Sequence, residues 1–183
     1  MVINLAVSIS YGHRMNELLQ RCTELGPTAI IPIVTENNRL SSDIDKKNLL
    51  KRFRNVVHNA CLQSKQNKEP TIPKIYNSLE EFFIESDRMR ELLTVLSPKN
   101  LVDDIDQLKL IFHPKATKKM SDFGNDATSV TLLTGPESGF SDAEIETAKK
   151  YNFIPVSLGP RILSCVSAPG VAMSIAQYKW GDI

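Results

Sequence analysis

The sequence predicts an α/β fold built on a mostly parallel sheet. Apolar runs of strand length alternate with segments whose apolar residues recur at helical spacing, in the order β-α-β-α-(α)-β-β-α-β-α. Strand candidates such as 28–34 (TAIIPIV) and 130–134 (VTLLT) are continuously apolar and do not alternate. Strands of a parallel sheet that helices cover on both faces have this pattern. The length of 183 residues suits one such domain.

The first half of the chain contains two strand candidates and several helix candidates. Met15, Leu18 and Cys22 recur at helical spacing, and Gly26 stands where a helix C-cap belongs. Ser78 and Glu81 have the spacing of a capping box. The predicted elements are strands at 2–9 and 28–34, helices at 15–25, 44–66, 78–85 and about 88–96, and a polar loop at 38–43.

The last third of the chain predicts strands that end in glycine-containing loops. Ser141 and Glu144 have the spacing of a second capping box, at the start of a helix. A final helix is expected over 167–180, where Pro169 is tolerated in the first turn. The predicted strands are 108–112, 130–134 and 153–158, and 114–129 is expected to be a loop.

Composition excludes several classes of protein. No stretch approaches the roughly 20 apolar residues that cross a bilayer, and the start MVINLAVSISYGHRM lacks the basic region of a signal peptide. The three cysteines are widely spaced and form no CxxC motif, which argues against a zinc site and fits a reducing cytosol. We therefore expect a cytoplasmic protein without a membrane or metal partner.

Charge alone is a weak indication of nucleic-acid binding. The formal net charge is only +1, whereas phosphate contacts dominate the affinity of most nucleic-acid binders. Two local clusters of basic residues are compatible either with phosphate contacts or with ordinary solvated faces. They comprise Lys46, Lys47, Lys51, Arg52 and Arg54 in one segment, and Lys115, Lys118 and Lys119 in another.

Two loops, 135–140 (GPESGF) and 158–163 (LGPRIL), each follow a predicted strand. Ligands of open parallel sheets bind beyond the carboxyl ends of the strands, so these loops predict a small-molecule site. A phosphate fits poorly, because neither GxxxxGK[ST] nor GxGxxG occurs and Glu137 would repel an anion. A nucleoside fits better, although from the residues alone the loops could also be ordinary turns between strand and helix.

The paired motifs GPESGF and SLGPRIL resemble the GPEGGF and LGxRIL signature of the RsmE family, which are 16S rRNA (uridine-N3) methyltransferases. The likeness extends over nearly the whole chain. It includes 13–36 (HRMNELLQRCTELGPTAIIPIVTE), 62–73 (LQSKQNKEPTIP) and 110–114 (LIFHP). These combined motifs are far more specific than a single glycine-rich loop.

The resemblance implies a SPOUT fold, a mostly parallel sheet with a C-terminal deep trefoil knot, and S-adenosyl-L-methionine as the cofactor. It also implies a homodimer with the final helix at the interface, and 16S rRNA or the small ribosomal subunit as partner. Family members usually carry an N-terminal PUA-like domain before the methyltransferase domain. The likeness to the methyltransferase domain begins at the start of this sequence, so we expect 1–183 to be a single methyltransferase domain and the PUA-like domain to be absent. The cofactor-binding residues that it implies are Thr134, Gly135, Glu137, Gly139, Leu158, Gly159, Ile162, Leu163 and Ala168.

Two segments depart from the family's pattern. The second loop continues as Ser164-Cys165-Val166-Ser167-Ala168 where the family has RxETA, and 62–66 reads LQSKQ where the family has EQxGR. Arg161 and Arg14 remain as candidate catalytic residues, because an arginine near the pyrimidine oxygens would stabilise the anion formed at N3. The sequence therefore predicts uridine-N3 methylation. The alternative is a divergent member that binds cofactor and RNA or the ribosome but turns over poorly.

Overall fold

The structure, a computed structural model, describes residues 1–38, 40, 44–96 and 107–183, with side chains left out for 90–96. The strands are β1 (Val2–Ser8), β2 (Ala29–Ile33), β3 (Gln107–Phe112), β4 (Ser129–Thr134) and β5 (Ile154–Val156). The helices are α1 (His13–Thr23), α2 (Lys46–Gln63), α3 (Leu79–Leu96), α4 (Asp142–Lys150) and α5 (Ser167–Trp180), and a 3₁₀ turn covers Met120–Asp122.

The five strands form one sheet in the order β2-β1-β4-β3-β5, and every pairing is parallel. The predicted parallel α/β architecture is therefore confirmed. The carboxyl ends of β4, β3 and β5 lie side by side at one edge of the sheet, and this places the loops that follow them together. The knot that the resemblance implies stays a prediction.

Helices cover both faces of the sheet, and successive strand residues point to opposite faces. Leu5 and Leu132 belong to the larger core, under α1, α2 and α5, whereas Ala6 and Leu133 belong to the smaller core, under α3 and α4. The smaller core contains four buried aromatic residues, Phe82, Phe83, Phe140 and Phe153, beside aliphatic ones. Burial on both faces explains the continuous apolar runs of the strands.

Of the two predicted capping boxes, one is complete and the other is half formed. At α4, the Ser141 hydroxyl accepts from the Glu144 amide at 3.1 Å, and the Glu144 carboxylate accepts from the Ser141 amide at 2.8 Å, which is a complete capping box. At α3, the Ser78 hydroxyl accepts from the Glu81 amide at 3.0 Å, but the Glu81 carboxylate bonds to the amide of Asn77 instead.

Two predicted elements differ from the structure. Helix α3 is continuous, whereas two helical stretches were predicted, because the expected break at 86–87 contains neither Gly nor Pro. Strand β5 is shorter than predicted, since the amides of Phe153 and Ser157 donate to Ala148 and Lys118 and not to a strand. The predicted loop 38–43 lies mostly outside the described residues. Within the described ranges, no helix is long and apolar enough to cross a membrane.

Candidate active site

A cavity of about 260 Å³ lies at the carboxyl ends of β3, β4 and β5, between the two glycine-containing loops. We call it the loop cavity. Every residue that the resemblance implies for the cofactor lines it, and so does Arg161. The cofactor-binding residues predicted from the sequence did not include Phe112, His113, Pro114 and Cys165, which also line it, whereas Phe140 belongs to the predicted loop 135–140. The motif LIFHP was the available signal for the first three, because it ends β3 at this edge of the sheet.

The first loop is a tight turn that leads into α4. The Gly139 amide donates to the Pro136 carbonyl at 3.0 Å, and Gly139 has a φ of 74°, which glycine adopts without strain. At Gly135 a Cβ atom would meet the Phe140 ring at 3.0 Å, so a larger residue would force this ring to shift by a few tenths of an ångström. These two glycines thus let the backbone of the first loop lie close to the loop cavity.

The second loop is shaped by Ser157 and Ser164. The Ser157 hydroxyl accepts from the Gly159 amide at 3.1 Å and supports a backbone with a φ of 111° at Gly159. The Ser164 hydroxyl accepts from the Ser167 amide at 3.1 Å, at the start of α5. Val166 is buried, with 9% of its surface exposed. The two residues that depart from the family's pattern in this loop therefore serve a helix cap and the core.

Thr134 ends β4 and contributes the most informative polar group of the loop cavity. The residue is 2% exposed, and its hydroxyl oxygen is buried without a hydrogen-bond partner among the described residues. A buried hydroxyl without a partner costs roughly 1–3 kcal/mol of stability, so such groups are rare unless a ligand completes them. The wall of the loop cavity thus contains a hydroxyl whose hydrogen-bonding capacity is left for a ligand or a water molecule.

Glu137 connects the loop cavity to residues that follow β1. Its carboxylate forms an ion pair with the Arg14 guanidinium and lies 3.6 Å from the Cys165 sulfur, which donates to it. Burial raises the pKa of the Cys165 thiol, and the carboxylate of Glu137 acts in the same direction. The thiol therefore stays protonated at neutral pH, as a weak donor facing a carboxylate.

The two candidate catalytic arginines lie on different sides of the first loop. Arg161 lines the loop cavity, is exposed, and makes no hydrogen bond or ion pair within the described ranges. Arg14 does not line the loop cavity, although its ion pair with Glu137 places it directly behind the cavity wall. The structure thus brings Arg14 to the site through Glu137, a contact that local sequence cannot predict.

The first basic cluster is partly used for structure. The Arg52 guanidinium donates to Asn16 and to the Gly12 carbonyl, and that of Arg54 donates to the Ile72 and Pro73 carbonyls. Lys46 bonds to Asn77. Lys47 and Lys51 are exposed. Three of these five side chains therefore bond to neighbouring segments of the protein. The cluster gives little support for phosphate contacts and is better explained as an ordinary helix surface.

A larger cavity, of about 610 Å³, lies between the carboxyl end of β2 and the starts of α3 and α4. It contains none of the residues predicted for the cofactor. Its buried carboxylate, that of Glu144, is already bonded: it caps α4 and accepts from the Glu36 amide at 2.9 Å. The loop cavity, although smaller, is the better candidate because of its buried Thr134 hydroxyl.

The family described as RNA methyltransferase domain matches residues 1–177 of the chain. Ribosomal RNA small subunit methyltransferase E of Buchnera aphidicola subsp. Acyrthosiphon pisum is 31% identical over 182 residues, which are 98% of this chain and 64% of the relative. The chain therefore spans slightly less than two thirds of that relative's length.

Two solved structures share this fold. A Legionella pneumophila protein in complex with bound cofactor SAM has a TM-score of 0.82 and 33% identity, covering all of this chain and 68% of the other. Ribosomal RNA small subunit methyltransferase E from Neisseria gonorrhoeae, bound to S-adenosyl methionine, has a TM-score of 0.76 and 31% identity over the same shares. These matches and the architecture agree, and the chain belongs to the RNA methyltransferase domain family, among the ribosomal RNA small subunit methyltransferase E proteins.

Proposed function

We propose that this chain transfers a methyl group from S-adenosyl-L-methionine to N3 of a uridine in 16S rRNA. The observation that carries the proposal is Thr134, which lines the loop cavity and whose buried hydroxyl has no partner among the described residues. The relatives solved with this cofactor support the same ligand. The activity and the substrate are those of the family to which the chain belongs.

The lining of the loop cavity suits a nucleoside with a charged sulfur. The Thr134 hydroxyl can donate or accept a hydrogen bond, and the Glu137 carboxylate can accept from ribose hydroxyls or lie near a sulfonium charge. Leu158, Leu163 and Ala168 supply apolar surface for a purine ring. A mostly apolar cavity with a few placed polar groups is the usual form of a cofactor site.

Catalysis on uridine N3 requires a stabilised anion. S-adenosyl-L-methionine, when bound, supplies an electrophilic methyl group and leaves as S-adenosylhomocysteine. N3 is a weak acid that must lose its proton before it becomes a nucleophile. Arg161 at the rim of the loop cavity and Arg14 behind Glu137 can donate to the pyrimidine oxygens, where the negative charge develops. Holding the ring in line with the methyl group supplies much of the remaining acceleration.

We also propose a homodimer with α5 at the interface. Tyr178 of α5 is 82% exposed, and Ile162 of the second loop is 86% exposed. Large apolar side chains with so much exposed surface are suited to burial against a second copy of the chain. Light scattering coupled to size exclusion should give twice the monomer mass, and a Tyr178→Glu variant should shift the mass toward the monomer. A wild-type monomer at micromolar concentration would contradict the dimer.

The alternative, a divergent member that binds without turnover, is not favoured by relatives named as methyltransferases. The sequence feature that suggests this alternative is the absence of charged side chains at positions 164 and 166. In the structure the Ser164 hydroxyl accepts from the Ser167 amide, and Val166 is buried in the core. A methyl-transfer assay separates the two functions. We expect labelled S-adenosyl-L-methionine to modify a single uridine in unmethylated small subunits.

Two outcomes give a clear decision. Tight binding of S-adenosylhomocysteine without any transfer would favour the alternative. Absence of thermal stabilisation by S-adenosylhomocysteine would refute the cofactor site, because a ligand at 100 times its Kd stabilises by roughly 2.7 kcal/mol. Guanosine serves as the control ligand and should leave the melting temperature unchanged.

A further inference from the structure

Two donors from distant parts of the chain hold the carboxylate of Glu137. The Arg14 guanidinium and the Cys165 thiol both donate to the same carboxylate oxygen, Oε1, and the thiol sulfur lies 3.6 Å from it. The other oxygen, Oε2, makes no hydrogen bond with any residue that the structure describes. Because Glu137 lines the loop cavity, Oε2 is the oxygen that remains available to a ligand there.

The Cys165 side chain is a firmly placed donor. It is 5% exposed and lies at the start of α5, where the Ser164 hydroxyl accepts from the Ser167 amide. The hydroxyl of Ser10, which is itself buried, is close enough to donate to the sulfur. A thiol is a weak donor, but its bond to a carboxylate is assisted by charge. The start of α5 thus restrains the direction of the Glu137 side chain.

The charge of Glu137 is balanced by Arg14, and this decides what Oε2 can bind. An ion pair carries no net charge, so it offers a distant sulfonium little attraction. The lone pairs of Oε2 are still free to accept hydrogen bonds. The groups of the proposed cofactor that complement such an acceptor are the two hydroxyls of its ribose.

We infer that Cys165 is a positioning residue, whose bond to Oε1 directs Oε2 of Glu137 toward the ribose hydroxyls of the cofactor. The inference rests on the proposed function, because it takes S-adenosyl-L-methionine as the ligand of the loop cavity. A carboxylate that is already held through one oxygen loses less conformational freedom when the other oxygen binds. Removal of the thiol should therefore weaken the contact with the ribose.

The substitution Cys165→Ala tests the inference by calorimetry with two ligands. We expect the Kd of S-adenosylhomocysteine to rise about threefold to tenfold, the range of one hydrogen bond. The 2′,3′-dideoxy analogue of S-adenosylhomocysteine lacks both ribose hydroxyls, and its Kd should be the same for the variant and the wild type.

Cys61→Ala is the matched control for this substitution. Cys61 is 6% exposed, its thiol donates to the Gln66 carbonyl at the same 3.6 Å, and it lies outside the loop cavity. Its removal should leave the Kd of both ligands unchanged.

Two further measurements separate positioning from a structural role. In a Glu137→Ala background, Cys165→Ala should not raise the Kd of S-adenosylhomocysteine any further, because a residue that acts only through Glu137 has no effect once the carboxylate is gone. In the methylation assay, Cys165→Ala should raise KM for S-adenosyl-L-methionine and leave kcat unchanged, as expected for a contact that is equally strong in the ground state and the transition state.

The outcomes distinguish the positioning role from the proposed function. An unchanged Kd of S-adenosylhomocysteine in Cys165→Ala, or an equal rise for both ligands, would overturn the inference and leave the cofactor site intact. A wild-type chain that binds no S-adenosylhomocysteine would overturn both. A loss that depends on the ribose hydroxyls, in a chain that methylates no RNA, would overturn the proposed activity and support the positioning role.

Discussion

The Arg14 guanidinium pairs with the Glu137 carboxylate across 123 residues of sequence. The pair joins the start of α1 to the loop after β4, where Glu137 lines the loop cavity. Both side chains are about half exposed, at 50% and 55%. Ion pairs so accessible to water contribute about 0–1 kcal/mol to stability, so the value of this pair lies in where it places the two charges.

The substitution Arg14→Ala should therefore separate activity from stability. We expect the free energy of unfolding to change by less than about 1 kcal/mol. In contrast, kcat for methyl transfer should fall by about two to three orders of magnitude, because a donor to the developing pyrimidine anion is lost. Urea denaturation and single-turnover methylation measure the two quantities.

Arg21→Ala is the matched control for this prediction. Arg21 lies on the same helix and pairs with Glu17 at 2.6 Å, with comparable exposure. Its removal should also change stability little, and it should leave kcat unchanged. A comparable loss of kcat in both variants would show that charge on α1, and not the contact with Glu137, governs the rate.

Thr134→Val should weaken cofactor binding without weakening the fold. The substitution keeps the shape of the side chain and removes a buried hydroxyl that has no partner in the chain. The free protein should be as stable as the wild type or about 1 kcal/mol more stable. The Kd of S-adenosylhomocysteine, measured by calorimetry, should rise about tenfold, since the bound ligand loses a hydrogen bond.

Thr131→Val provides the comparison within the same strand. Thr131 is 5% exposed and does not line the loop cavity. The affinity for S-adenosylhomocysteine should therefore be that of the wild type, whatever the change in stability. An unchanged affinity in Thr134→Val would mean that the hydroxyl does not contact the ligand.

Sequence was sufficient to predict the alternation of strands and helices, because burial on both faces of a parallel sheet leaves continuous apolar runs. It also predicted the capping box of Ser141 and Glu144, whose partners are three residues apart. The cofactor-binding residues that line the loop cavity were predictable from the family resemblance, and their two loops meet because β4 and β5 flank β3 in the sheet. These features depend on local spacing or on a periodic pattern, which a sequence displays directly.

The contacts that sequence analysis missed are long-range and polar. The pairing of Arg14 with Glu137 and that of Asp87 with Lys109 depend on how distant elements pack.

Ser164→Ala should destabilise the start of α5. The hydroxyl of Ser164 accepts from the Ser167 amide at 3.1 Å and satisfies one of the unpaired amides of the first turn. Loss of such a cap costs about 0.5–2 kcal/mol, which urea denaturation will measure. Ser174→Ala is the control within α5, because the Ser174 hydroxyl bonds back to the Gly170 carbonyl at 2.9 Å and caps nothing. Equal losses in the two variants would exclude a capping role for Ser164.

The buried Cys22 thiol of α1 should make the fold less stable at alkaline pH. Burial raises its pKa from the ordinary value of 9.0 to about 12. Between these values the unfolded chain releases the thiol proton and the folded chain keeps it. The free energy of unfolding therefore falls as pH rises, by up to about 1.4 kcal/mol per pH unit for this group. Below pH 9 its contribution is constant.

Urea denaturation of wild type and Cys22→Ala, at several pH values from 8 to about 11, tests this linkage. The small cavity left by the substitution lowers stability at every pH, so the informative quantity is the slope against pH. We expect a shallower alkaline decline in Cys22→Ala than in the wild type. Val57→Ala, which truncates a buried residue of α2 that does not titrate, should keep the wild-type slope. Parallel curves for wild type and Cys22→Ala would show that the thiol ionises equally in both states, despite its burial.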